Sequence, residues 1–175
     1  IDACGYKPVA SGCCRTTKGL RNADALALQD AAGSREPYAA INPYAFAPAI
    51  APHLAAAEAG VRVERRVLDR AHRELSRRHQ LVVIEGAGGW CVPLGSRWTF
   101  ADWVGAHDWP VVLVVGMRLG CLNHALLSAD AIQRSARLIG WIASELPPRQ
   151  PALEQNLADL AQRMPAPLLG RVGPR

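Results

Sequence analysis

The sequence has no apolar run close to the roughly 18 residues that a membrane-spanning helix needs. It also shows no segment with the charged start and apolar core of a signal peptide. We therefore expect a soluble, cytoplasmic protein that does not bind a membrane.

The usual metal-binding patterns of cysteine and histidine are also missing. The five cysteines are odd in number and form no C-x-x-C pair beside a histidine cluster, and the five histidines show no H-E-x-x-H spacing. We predict reduced thiols in a reducing compartment and no zinc site.

Lysine is scarce, but positive charge is not. Only two of the twenty basic residues are lysines, and the formal net charge is +5. The basic residues are interleaved with acidic ones along predicted helices such as 63–78, which is typical of a solvated face. Because no aromatic-rich basic stripe accompanies them, we expect no nucleic-acid partner.

The length and the order of apolar segments predict one α/β domain over residues 1–175. Half of the residues are hydrophobic, enough for one buried core. Alternation of the two kinds of element indicates βαβ units and a doubly wound, mainly parallel sheet. The predicted strands are 5–9, 81–85, 111–115, 138–143 and 168–172, and the predicted helices are 24–31, 52–59, 63–78, 99–105, 121–135 and 153–164.

The most informative segment is LVVIEGAGGW, at residues 81–90. The four apolar residues before Glu85 predict a parallel strand that is buried on both faces. Ligands bind at the carboxyl edge of such sheets, and Gly86, Gly88 and Gly89 let backbone amides approach an anion. A carboxylate beside a phosphate site suggests Mg²⁺, whereas the alternative is a glutamate that caps a helix beside a tight turn.

Two earlier segments carry further candidates. In GYKPVASG, Lys7 is either a cation kept for a phosphate or developing anion, or an ordinary strand-end charge, and Ser11 beside it could be a cap. In RNADALAL, Asn22 or Asp24 starts a helix. A metal role for Asp24 requires that it face Glu85.

A third segment, VVLVVGMRLGCLNHALL at residues 111–127, predicts a buried strand, a glycine-rich turn and a helix. Free amides at the start of that helix favour an anion. The alternative is an ordinary βα connection in which Asn123 caps the helix.

These segments together resemble dethiobiotin synthetase, a member of the wider group of P-loop ATPases. The matching motifs occur in the same order and cover nearly the whole chain, and EGAGGW combined with LGCLNH is specific to that enzyme. They are GYKPVASG, NADALAL, VIEGAGGW with VPL, TFADW, VVGMRLGCLNH and PAPLLG.

The resemblance implies ATP- and Mg²⁺-dependent closure of the ureido ring of dethiobiotin from 7,8-diaminononanoate and CO₂, in biotin biosynthesis. An amine forms a carbamate, the γ-phosphate of ATP converts it to a carbamic-phosphoric anhydride, and the second amine displaces phosphate. Lys7 would be the catalytic lysine and Ser11 would bind substrate. Asp24 and Glu85 would hold Mg²⁺, and Glu85, Gly86, Ala87 and Gly88 would line the phosphates.

The resemblance also implies a homodimer. The LGCLNH loop would cross the interface, so Leu119, Gly120, Cys121 and Asn123 would receive the tail carboxylate of a substrate held by the other subunit. Ser144 and Glu145 stand where the family often places an asparagine against adenine, which leaves selectivity for that base open.

The family begins with a strand, a phosphate-binding loop ending in G-K-[ST] and a helix, and the resemblance starts after them. We expect that roughly 30 residues of a βαβ unit are missing at the start and that the end is also cut. Alternatives are therefore a remnant without turnover, or a related P-loop amidoligase or partitioning ATPase.

Overall fold

The computed structural model describes residues 1–33 and 35–173. The chain forms two compact units, Ile1–Phe100 and Ala101–Arg175. A single domain over residues 1–175 stays a prediction. In the described part of the chain, no helix is both long enough and apolar enough to cross a membrane.

The described residues of the first unit form short strands and four helices. Its strands are β1 (Ala3–Tyr6), β2 (Val9–Ala10), β3 (Cys14–Thr16), β4 (Gly19–Arg21), β5 (Tyr44–Ala45) and β6 (Leu81–Ile84), and its helices are α1 (Ala23–Ala31), α2 (Tyr38–Ile41), α3 (Pro52–Glu58) and α4 (Arg65–Ser76). β1 pairs with β6 and β2 with β5, both in parallel, while β3 and β4 form an antiparallel hairpin.

The second unit is a three-stranded parallel sheet with helices. Helix α5 begins at the last residue of the first unit, and the strand order is β7-β8-β9. The elements are α5 (Phe100–Gly105), β7 (Pro110–Met117), α6 (Cys121–Gln133), β8 (Arg137–Glu145), α7 (Leu153–Arg163) and β9 (Leu168–Val172). Its core is formed by inward-facing residues of the sheet and of α6 and α7, among them Trp141 and Leu160.

The α/β class is confirmed, and each predicted helix is present within about two residues of its predicted ends. The strand predicted at 5–9 is interrupted at Lys7 and Pro8, because proline has no amide to donate to a ladder. The short elements β3, β4, α2 and β5 were not predicted, since segments of two to four residues carry no readable periodicity.

The expectation that strand 81–85 is buried on both faces is wrong, and strand 111–115 is not buried along its whole length as predicted. Leu81 and Val83 on β6, and Val112 and Val114 on β7, are exposed. In the described ranges, β6 pairs only with β1 and β7 only with β8, so each strand has one side without a neighbour. An all-apolar run predicts a strand, but it does not determine how much of that strand neighbouring elements cover.

Close packing of α1 on β1 sets the geometry of the first unit. A side-chain carbon built on Gly5 would lie 2.5 Å from Leu28 Cβ. Only glycine permits this approach of helix to strand, and the approach positions the start of α1 beside the end of β1.

We predict that Gly5→Ala lowers the free energy of unfolding by about 1–3 kcal/mol, because the added methyl group forces α1 away from β1. Urea unfolding monitored by circular dichroism measures the change. Gly170→Ala is the control, since no atom of the residues that the structure describes lies within 4 Å of the added carbon there. Equal stability of the two variants would contradict the packing argument.

A charged cluster joins three separate segments of the first unit. His79, which follows α4, lies between Asp2 and Glu36: its Nδ1 is 3.0 Å from Asp2 Oδ1 and its Nε2 is 3.1 Å from Glu36 Oε1. Arg78 donates two further hydrogen bonds to Glu36, at 2.8 and 2.9 Å. The hydrogen bond to Asp2, with a further contribution from Glu36, raises the pKa of His79 above its ordinary 6.5 despite some burial.

We predict that the free energy of unfolding falls as the pH rises from 6.5 through the raised pKa of His79. The folded chain holds the proton more tightly than the unfolded chain, so the contribution is complete below 6.5 and is lost above the folded pKa. Urea titrations across this range measure the slope. His79→Gln should remove that slope and His124→Gln, at an exposed position of α6, should keep it; an unchanged slope in His79→Gln would refute the assignment.

Candidate functional site: a buried lysine held by two carboxylates

The site is built around Lys7, which directly follows β1 and is only 4% exposed. Its ammonium donates hydrogen bonds to Asp24 Oδ2 at 2.8 Å, Glu85 Oε1 at 2.8 Å and the Gly86 carbonyl oxygen at 3.0 Å. These three bonds match the three protons of the ammonium group. Lys7 is therefore a buried and fully bonded cation rather than an ordinary strand-end charge.

Asp24 reaches the site from the first turn of α1. The helix is capped by Asn22, whose side-chain oxygen accepts a hydrogen bond from the Ala25 amide. The two alternatives for this segment are thereby resolved: Asn22 caps the helix, and Asp24 is left to bind Lys7. The cap also holds Asn22 in extended backbone, so the chain turns into α1 next to the strand end.

Glu85 reaches the site from the carboxyl end of β6. The parallel register pairs Tyr6 with Ile84, so Lys7 and Glu85 leave the two neighbouring strands side by side. The Glu85 amide also donates to the Tyr6 carbonyl oxygen at 2.9 Å. The Glu85 carboxylate contacts Lys7 rather than the start of a helix, which decides against the capping alternative.

The two carboxylates leave the cluster open to a ligand. The side chains of Asp24 and Glu85 are 54% and 45% exposed, and one oxygen of each bonds Lys7. Asp24 thus faces Glu85 across a shared ammonium, which is the condition for a metal role. The described residues contain no group of three or more histidine, cysteine or acidic side chains able to hold a metal.

Two half-exposed carboxylates suit Mg²⁺, which takes one or two carboxylates and completes its shell with waters and phosphate oxygens. The oxygens that do not bond Lys7 are the available ligands. The donor set therefore fits Mg²⁺ delivered together with a phosphate compound, and does not fit a cage made only of protein groups.

The turn after Glu85 brings backbone close to the cluster. A side-chain carbon on Gly86 would lie 3.0 Å from the Phe100 ring, and Gly88 has φ of +89°, which favours glycine. Ala87 between them is half-buried. Ser11 follows β2 directly, is half-buried, and makes no side-chain hydrogen bond to the described residues.

The second unit holds the other candidates. Gly120, with φ of +92°, is the N-cap of α6 and supplies no side-chain cap, so Asn123 is not the capping residue. Leu119 is 97% exposed, Asn123 is exposed, and Cys121 is buried in the core. The amides of Leu122 and Asn123 have no hydrogen-bond partner among the described residues, which leaves them free for an anion.

Ser144 and Glu145 form the carboxyl end of β8. Arg171 on β9 donates to Glu145 at 2.8 Å and also bonds Glu154 at the start of α7. The sequence gives no signal that singles out Arg171 as a functional residue, because residues 168–172 predict only a short apolar strand. The sequence candidates thus form three groups: the Lys7 cluster with Gly86, the start of α6, and the end of β8.

Comparison with known proteins gives a family for this chain. A family model described as an AAA domain matches residues 4–175. The chain is 55% identical over 174 residues to "ATP-dependent dethiobiotin synthetase BioD" of Pseudomonas aeruginosa (strain UCBPP-PA14), covering 98% of this chain and 76% of that protein.

Two enterobacterial relatives bear the name "ATP-dependent dethiobiotin synthetase BioD 1". Identity is 50% for the Salmonella typhi protein and 46% for that of Escherichia coli (strain K12), each over 96% of this chain and 74% or 75% of the relative. With the P-loop type of α/β fold that the family model indicates, the chain belongs to the dethiobiotin synthetase family.

Proposed function

We propose that this protein is an ATP- and Mg²⁺-dependent dethiobiotin synthase that closes the ureido ring from 7,8-diaminononanoate and CO₂. The main evidence is the position of the Lys7 ammonium. It lies at the carboxyl ends of two parallel strands, where Asp24, Glu85 and the Gly86 carbonyl oxygen hold it. The names of the relatives support the reaction class.

The reaction proceeds through anions. One amine of the substrate adds to CO₂ and loses a proton to give a carbamate. A carbamate oxygen then takes the γ-phosphoryl group of ATP with release of ADP, and the second amine attacks the carbonyl carbon and expels phosphate. Negative charge therefore accumulates at one place, where a fixed positive charge lowers the barrier.

Lys7 is suited to that role because its position is fixed before any substrate binds. All three ammonium protons are used within the protein, so a substrate anion must replace one of the present acceptors. The two carboxylates are half-exposed and can yield their bonds more readily than the Gly86 carbonyl. Mg²⁺ held by Asp24 and Glu85 would neutralise phosphate charge beside Lys7.

The neighbouring backbone completes the proposed site. The amides around Ala87 and Gly88 would bind phosphate oxygens, because the positive φ of Gly88 turns the chain sharply after the strand. The free hydroxyl of Ser11 would bind the substrate. Ser144 would lie at the nucleotide base, beside Glu145, whose carboxylate is held in place by the hydrogen bond from Arg171.

We further propose that the protein works as a homodimer in the cytoplasm. Leu119 is almost fully exposed, and two amides at the start of α6 have no partner among the described residues. Both features suit an interface that receives the carboxylate tail of a substrate. Gly120 and Cys121 shape this turn, one by its positive φ and the other by anchoring the helix in the core. Five free thiols suit a reducing compartment.

We predict that Lys7→Met lowers kcat for dethiobiotin formation by about 10²–10³-fold, since it removes a positioned charge while keeping side-chain length. Substrate-dependent ADP release and dethiobiotin are measured together. Lys18→Met is the matched control, because Lys18 is the other lysine and is exposed. A wild-type protein that binds diaminononanoate and ATP but forms no dethiobiotin would favour a remnant, and equal losses in both variants would remove Lys7 from the mechanism.

We predict that Leu119→Glu converts the dimer to a monomer in analytical ultracentrifugation, because it buries a charge at the interface. Leu54→Glu, at an exposed leucine of α3, is the control.

A sharper test mixes Lys7→Met with Asn123→Asp. If each site takes Lys7 from one subunit and Asn123 from the other, each mixed dimer has one intact site out of two. Because random mixing makes about half of the dimers mixed, about one quarter of the activity is restored. No recovery would place both residues in the same subunit's site.

A further inference from the structure

A chain of buried polar groups connects the backbone of Lys7 to the helix that carries Asp24. Asn42, which follows α2 and is 3% exposed, lies at its centre. Its side-chain amide donates to the Lys7 carbonyl oxygen at 2.7 Å and to the Tyr44 carbonyl oxygen at 3.1 Å. The preceding residue, Ile41, accepts a hydrogen bond from the Lys7 amide at 2.9 Å. Both backbone groups of Lys7 are therefore held by the end of α2.

The chain continues through Tyr38. Its hydroxyl donates to Asn42 Oδ1 at 2.9 Å and accepts from the Asn22 amide at 2.7 Å. The direction of both hydrogen bonds is determined. The backbone N–H of Asn22 can only donate, so the single phenolic proton goes to Asn42. Burial raises the pKa of Tyr38 and keeps that proton in place. The Arg21 guanidinium, 4.2 Å above the ring, holds the other side of Tyr38.

The connections close into a ring. Asn22 caps α1, and α1 presents Asp24, which bonds the Lys7 ammonium at 2.8 Å. The ring thus runs from the Lys7 carbonyl through Asn42, Tyr38 and Asn22 to Asp24, and back to Lys7 through its side chain. Every polar atom of the Asn42 side chain is used.

We propose that Asn42 and Tyr38 are positioning residues for the proposed reaction: they set the separation of the Lys7 ammonium and the Asp24 carboxylate. This rests on the proposed function for its kinetic consequence but not for its geometry. A packing role alone predicts a loss of stability without a change at Lys7. A positioning role predicts a change at Lys7 in a protein that is still folded.

The first readout needs no turnover. Lys7 and Lys18 are the only lysines, so a spectrum of ¹⁵N-labelled lysine ammonium groups contains two signals to assign. In the wild-type protein, Lys7 should exchange its ammonium protons more slowly than exposed Lys18. We expect Tyr38→Phe, which keeps the ring under Arg21, to speed exchange at Lys7 about five-fold or more by loosening Asp24.

Tyr44→Phe is the matched control. The Tyr44 hydroxyl also accepts a hydrogen bond from a backbone amide, that of Glu64 at 3.2 Å, but this bond lies outside the ring. Both substitutions remove one hydroxyl and one such bond. Tyr44→Phe should therefore leave exchange at Lys7 unchanged, and Lys18 serves as the internal reference in every sample.

The second readout is kinetic. We expect Tyr38→Phe to lower kcat about ten-fold and Asn42→Ser up to about 10²-fold, with little change in KM for ATP, because a small misplacement of reacting groups acts on the transition state. Circular dichroism confirms that each variant is folded. If Asn42→Ser does not fold, Tyr38→Phe decides.

Exchange at Lys7 in Tyr38→Phe equal to that in Tyr44→Phe would overturn the proposal, whatever the activity. If exchange at Lys7 is faster in Tyr38→Phe but the wild-type protein forms no dethiobiotin, the positioning role is supported and the proposed reaction is refuted. Faster exchange with unchanged kcat in an active protein would overturn the kinetic part.

Discussion

Burial of the Lys7 ammonium between two carboxylates is the interaction on which the rest of the first unit depends. A cation that is 4% exposed is tolerated only when charged and polar partners replace the water it has lost. Here the partners come from three places: the first turn of α1, the end of β6, and the Gly86 carbonyl. Each must lie at hydrogen-bond distance from the same ammonium group, so the elements that supply them are constrained in turn.

Those constraints explain features that have no chemistry of their own. Gly5 allows α1 to lie against β1, and the Asn22 cap fixes where α1 begins. The parallel pairing of β1 with β6 sets Glu85 beside Lys7. The irregular segment that contains α2 holds the Lys7 backbone through Ile41 and Asn42. Rigid support of this kind is what preorganised electrostatic catalysis requires.

The cluster is rigid on its protein side and open on its ligand side. The ammonium is buried, yet both carboxylates are about half-exposed. This arrangement suits the proposed binding of a phosphate compound with its cation, because a fully enclosed ion triad would have no ligand positions left. In the second unit, the two amides at the start of α6 that have no partner in the described part of the chain are also open to a ligand.

How far the sequence could be read depended on the length and regularity of each pattern. Long helices such as α4 and α6 were predictable, whereas β3, β4, α2 and β5 were too short to show a period. Lys7, Asp24 and Glu85 could each be named because unusual residues stood at strand or helix ends. Asn42 and Tyr38 could not, since they lie in an irregular segment where an amide and a phenol have no distinctive spacing.

The sequence by itself determined the α/β class, the identity of the charged candidates and the family, because these depend on local apolar patterns and on motifs that are continuous along the chain. Only the tertiary structure decided that Asn22 rather than Asp24 caps α1, and that β6 and β7 each leave a side uncovered. It alone brought Lys7 onto two carboxylates, 17 and 78 residues away, at 2.8 Å. The physical reason is that hydrogen bonds and burial act between groups near in space, and sequence patterns do not encode those distances.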